Sequence, residues 1–93
     1  MNRKQQIDNA LSDVCRILLD VWDPLGVNDY PEAHDEYDSY APAIVGMLVR
    51  GATEADLVHH LRAIETENMG LSYLGEQRLI NAAKVLLAVD VQR

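Results

Sequence analysis

Apolar residues recur at helical spacing through four stretches of the chain. Ile7, Ala10, Leu11, Val14, Ile17, Leu18, Val21 and Trp22 make one broad stripe, with Asp13, Arg16 and Asp20 on the opposite side. This pattern predicts a first helix over about 3–22. Pro24 and Gly26 end it, because a residue before proline is steered away from the right-handed helical region. Ile44, Val45, Leu48 and Val49 supply the buried face of a second helix, about 37–50, which Gly51 closes. Pro42 is acceptable in its first turn, where backbone N–H groups have no intrahelical partner. Asp35, Asp38 and Ser39 compete as its N-cap.

Thr53 followed by Asp56 has the form of a capping box with Asp in place of the usual Glu. It opens a third helix, about 54–68, whose seam is Leu57, Leu61 and Ile64, with Val58 at its edge. Gly70 suits the left-handed position after that helix. Ser72 is then expected to cap a fourth helix, about 73–91. Its apolar residues lie nearly all round: Leu74, Val85 and Val89 on one side, Leu79 and Leu86 on another, Ile80, Leu87 and Val91 on a third. Such a helix is either central to the domain or packed against another chain. No period-two alternation competes. The expected fold is an all-α, single-domain four-helix bundle spanning 1–93, with a long connection between the first two helices.

Charge changes the picture most in that connection. Residues 20–38 hold seven carboxylates and no Lys or Arg, whereas the rest of the chain holds eight acids and eight bases. The whole net charge of −7 therefore belongs to one segment. Trp22, Tyr30, Tyr37 and Tyr40, four of the five aromatics, lie in or beside it. Clustered like charges repel, so a purely solubilising role favours spreading them. Asp35, Glu36 and Asp38, close to the expected start of the second helix, complement its macrodipole. Asp20 and Asp23 stand at the end of the first helix, the wrong end for an anion. Asp29 and Glu32 flank Tyr30 on the connection. Aromatic anchors within a charged rim have the composition of a protein interface. Asp20, Asp23, Asp29, Tyr30, Glu32, Asp35, Glu36, Tyr37, Asp38 and Tyr40 are accordingly the expected partner-binding residues, for a basic protein partner.

Other chemistries have little support. Scattered bases and an acidic balance disfavour nucleic acid and anionic membrane. No apolar run is long enough to span a bilayer, and the first residues lack a signal-peptide pattern, so a cytoplasmic location is the default. The single Cys15 has no internal disulfide partner and reads as a small buried hydrophobe. Adjacent helical residues diverge by about 100°, so His59 and His60 are poorly placed to share one ion. Asp56 and His60, four residues apart, are as well explained by helix support. No H-E-x-x-H, zinc spacing, EF-hand register, G-x-S-x-G elbow or phosphate loop is present. No catalytic residue, metal or cofactor is expected, and the protein is read as a non-enzyme.

Taken in order, W-D-P-L-G-V (22–27), D-E-Y-D-S-Y (35–40), G-A-T-E-A-D-L (51–57) and E-T-E-N-M-G-L (65–71) resemble a family of small bacterial helical proteins. Its members carry W-D-P-x-G, D-E-Y-D-x-Y and M-G-L elements; the likeness covers roughly residues 20–71. The resemblance implies a bacterial cytoplasmic helical domain and carries no settled activity. In physical type alone, the chain is also similar to the acidic, often helical immunity proteins that neutralise basic bacterial toxins. The function expected from this reading is immunity- or antitoxin-like inhibition of such a toxin. The alternative is a structural or regulatory homodimer joined through the fourth helix. A monomer and a homodimer are both open.

Overall fold

The computed structural model describes residues 2–72 and 75–91. They form four helices and, among the described residues, no strand, so the all-α four-helix architecture expected from the periodicity is the one observed. Helix α1 spans Arg3–Ile17 and is capped by Asn2, whose side chain accepts from the Gln5 N–H at 2.8 Å. It runs on through Leu18–Trp22 as a π-helical turn. Asp23 then ends it in the left-handed region, at φ 32° and ψ 59°. Proline at the next position disfavours the right-handed alternative, and Asp is among the few non-glycine residues that tolerate this conformation.

Helix α2 spans Ala41–Val49, with Pro42 in its first turn. It starts later than the expected residue 37. The backbone enters through two tight 3-10 turns, Pro31–Ala33 and Asp38–Tyr40, and Tyr40 occupies the cap position without a side-chain hydrogen bond. None of Asp35, Asp38 and Ser39 is therefore the N-cap. At the other end the Gly51 N–H bonds to the Leu48 carbonyl and the Ala52 N–H to the Met47 carbonyl. This is a Schellman closure, which the glycine permits by taking φ 84°.

Helix α3, Glu54–Ala63, begins with the expected capping box. Asp56 N–H donates to Thr53 Oγ1 at 3.1 Å, and Thr53 N–H donates to Asp56 Oδ2 at 3.0 Å. It continues through Ile64–Asn68 as a second π-helical turn, and Gly70 takes the expected left-handed conformation at φ 67°. Helix α4 spans Glu76–Leu87 and is shorter than expected. Its cap position is Gly75, at φ 107°, not Ser72. Only glycine visits that region freely. The expected residues 73 and 74 lie outside the described residues. At the far end the Ala88 and Val89 N–H groups bond to Val85 and Leu86, a tightened last turn that stops the helix before 88–91.

Helix α3 packs along α4, α1 along α2, and α4 also meets the π-helical end of α1. The core is continuous: Val14, Leu18 and Trp22 from α1, Ile44 and Leu48 from α2, Leu57, Leu61 and Ile64 from α3, Leu79, Ala82, Ala83 and Leu86 from α4. Helix α4 is thus interior along one face, yet Val85 and Leu87 on its other side stay exposed. Cys15 is half-buried against the core and is a free thiol.

Candidate functional site

The acidic segment separates into residues that the chain uses internally and residues it leaves outward. Asp23 organises the inner set. Its Oδ1 accepts the Tyr37 hydroxyl at 2.7 Å and the Val27 N–H at 2.8 Å, while Oδ2 accepts the Asn28 N–H at 3.2 Å. The Tyr37 hydroxyl in turn accepts the Leu25 N–H at 3.0 Å. Burial works to raise the Asp23 carboxyl, but the Tyr37 hydroxyl and the loop N–H groups outweigh it and hold the group below its ordinary value. Tyr37 moves the other way. Burial first, and then its bond to the Asp23 carboxylate, push the phenol well above its usual value.

These contacts correct two expected site residues. Tyr37 is 1% exposed, its ring packed 5.3 Å from that of Trp22, so it is a core residue and not an anchor for a partner. Asp23 is a loop-closing carboxylate, its acceptors filled by its own chain. Its place at a helix C-terminus is no anomaly, because it turns away from the helix and collects the donors of the following loop. Tyr40 is half-buried, edge-on to Trp22 at 6.2 Å. Asp20 remains exposed but accepts the Asn28 side-chain amide at 2.9 Å. Asp38 is also engaged: burial, then the hydrogen bond to Asp38 and its charge, push the Cys15 thiol up to about 11.

The outer set is Asp29, Tyr30, Glu32, Asp35 and Glu36, all exposed. Tyr30 is 57% exposed, more than any other large hydrophobic described. None of these four carboxylates makes a salt bridge or side-chain hydrogen bond among the described residues. Asp35 and Glu36 also lie before the first turn of α2, which starts at Ala41. A macrodipole contribution fades beyond the first turn, so it does not account for them. The loop beneath is fixed by its own hydrogen bonds. His34 Nε2 donates to the Asn28 carbonyl at 2.6 Å, and the Asn28 amide donates to the Leu19 carbonyl and to Asp20.

A second polar cluster escapes the sequence pattern. Glu65 is completely buried. Its Oε2 accepts Trp22 Nε1 and Arg78 Nη2, both at 2.8 Å, and Arg78 Nη1 reaches the Trp22 carbonyl at 3.2 Å. Oε1 is enclosed and has no hydrogen-bond partner among the described residues. The cluster ties together the end of α1, the end of α3 and α4. Removing Arg78 strands the buried Glu65 carboxylate, and breaking a fully buried pair in this way costs about 3–5 kcal/mol; the Arg78 guanidinium is a third exposed, so the partial access to water lowers that figure here. The one sequence signal is spacing: Glu65 follows Leu61 by four residues, on the helix face of the Leu57–Leu61 seam.

A cleft of about 570 Å³ lies elsewhere, between the α2 closure and α3, and is lined by Met47, Arg50, Asp56, His59 and His60 among others. Burial, and secondarily the neighbouring His59, hold the His60 imidazole below its ordinary value. No group of three His, Cys, Asp or Glu side chains among the described residues is arranged to hold a metal. No described helix is long and apolar enough to cross a membrane.

Comparison with protein-family models, curated proteins and solved structures gives no match to any of them.

Proposed function

We propose that this chain is a non-catalytic protein-binding domain that grips a basic partner through the outward face of the connection between α1 and α2. The observation that carries the reading is Tyr30, 57% exposed among four carboxylates that have no side-chain partner among the described residues, on a loop already fixed from within. A fixed loop loses little conformational freedom on binding, which leaves more of the contact energy as affinity. Asp29, Glu32, Asp35 and Glu36 would steer a cationic surface, and Tyr30 would supply the amphipathic anchor. The most concrete form is an immunity- or antitoxin-like inhibitor of a basic bacterial toxin.

The test is association kinetics with a basic protein partner, sought first as a cationic toxin domain among the products of neighbouring genes. Asp29→Asn/Glu32→Gln/Asp35→Asn/Glu36→Gln should slow association tenfold or more and flatten its salt dependence, consistent with electrostatic steering. An unchanged rate removes the reading. A second reading, a homodimer joined through α4, draws on the exposed Val85 and Leu87. Sedimentation over a range of concentrations separates the two.

A further inference from the structure

An open groove of about 490 Å³ runs between the C-terminal part of α1 and the end of α4. Ile17, Val21, Val85 and Val89 form its apolar floor, and Val21 and Val85 remain 37% and 41% exposed. Asp13, Asp20 and Asp90 stand around that floor. Arg16 is the base in the lining, and Asp13 holds it at 3.2 Å. Among the described residues of the lining, no further base stands with Asp20 and Asp90.

The groove is continuous with the acidic connection. Asp20 belongs to its rim and, through Oδ1, accepts the side-chain amide of Asn28, whose backbone carbonyl accepts from His34 Nε2.

Apolar floor and acidic rim specify different parts of one occupant. Covering the valines calls for aliphatic side chains, since buried apolar area is the favourable term there. Meeting Asp20 and Asp90 calls for cations. A second copy of the chain fits poorly. A two-fold contact sets a patch against itself, so this rim would face its own acids, in a chain of net charge −7. Such like-charge juxtaposition opposes association.

We propose that the groove docks an aliphatic segment flanked by lysine or arginine, belonging to the basic partner that the acidic connection attracts. The inference rests on the binding function proposed above and adds to it a second, apolar point of attachment. Charge brings the partner to the connection; the groove then selects among basic proteins by the aliphatic side chains they present.

The test uses the full chain, methyl- and amide-labelled for NMR, and three synthetic helical peptides. One carries leucines at i, i+4 and i+7 flanked by lysines; the second has serine for leucine; the third has glutamate for lysine. The leucine–lysine peptide should shift the Val21 and Val85 methyl signals together with the Asp20 amide. The serine–lysine peptide should shift only the amides of 29–36. Val21→Ser/Val85→Ser should weaken binding of the leucine–lysine peptide about tenfold, equivalent to ~1.4 kcal/mol, with an unchanged melting curve. Should the double variant fail to fold, Val85→Ser alone should still weaken binding severalfold. If the leucine–lysine peptide moves the 29–36 amides and leaves the valines untouched, the groove is overturned and the acidic-edge reading stands. If it moves neither, both fall. Equal binding of the glutamate peptide, or self-association that the serine variants abolish, would also overturn the proposal, the latter in favour of a second copy.

Discussion

Asp23 and Glu36 belong to the same acidic stretch, and their oxygens meet entirely different surroundings. Asp23 receives a phenol and two backbone N–H groups; Glu36 is exposed and has no side-chain hydrogen bond among the described residues. The difference follows from the backbone. At Asp23 a left-handed residue reverses the chain and aims the following loop's N–H groups back at the carboxylate. At Glu36 the chain passes from one tight turn into another, and its N–H already bonds to the Ala33 carbonyl. Charge density alone thus says little about role. A carboxylate with backbone donors in reach becomes part of the fold, and one without them stays available to another molecule.

Substitutions on the two sides should separate cleanly. The largest effect is expected for Tyr37→Ala, which removes the buried ring between Trp22 and the Asp23 loop; urea unfolding should register a loss of about 3–5 kcal/mol. Tyr37→Phe keeps the ring but removes one of the three donors to Asp23 and the acceptor of the Leu25 N–H, and should cost ~1–3 kcal/mol in the same measurement. A neutral result would mean that the inner set is held by packing alone.

The acid limb gives a third, smaller effect. Since the folded Asp23 value lies below the unfolded one of about 3.9, its contribution is present above that pH and is lost as pH falls through the folded value. The wild type should therefore lose stability below about pH 4 more steeply than Asp23→Asn, followed by thermal melting against pH. Smallest of all, neutralising Asp29, Glu32, Asp35 and Glu36 together should leave unfolding within about 0.5 kcal/mol of the wild type. A larger loss would place those residues in the fold after all and dissolve the contrast.

Much of the architecture is legible as periodicity. The stripes on α1 and α3 and the Thr53–Asp56 box need only nearest-turn chemistry, which a sequence displays directly. Three features are not legible in that way. Ser72 looks like a cap because it is followed by apolar residues, yet the glycine at 75 decides where α4 begins. The Asp23–Tyr37 bond joins residues on an aperiodic connection, where spacing carries no geometric meaning. Glu65 lies within E-T-E-N, a polar run that reads as solvated, and only its partners Trp22 and Arg78, remote in sequence, explain its burial. The macrodipole argument misplaced the outward acids for a related reason. It takes the start of α2 from composition, and the 3-10 turns move that start to Ala41.

Trp22 and Glu65, the hydrogen-bonded pair at the centre of the molecule, each lie within a π-helical turn. Such a turn holds one residue more than the α-helix around it, and so shifts everything after it in phase by about 100°. The Trp22–Glu65 bond therefore joins the last turns of two helices, each out of step with its own beginning. Length, as much as side-chain identity, is then a heritable property of this core. Deleting a single residue from 18–22 or 64–68 would give a more regular helix that points its last turn the wrong way, whereas many side-chain changes at the same positions would preserve the phase.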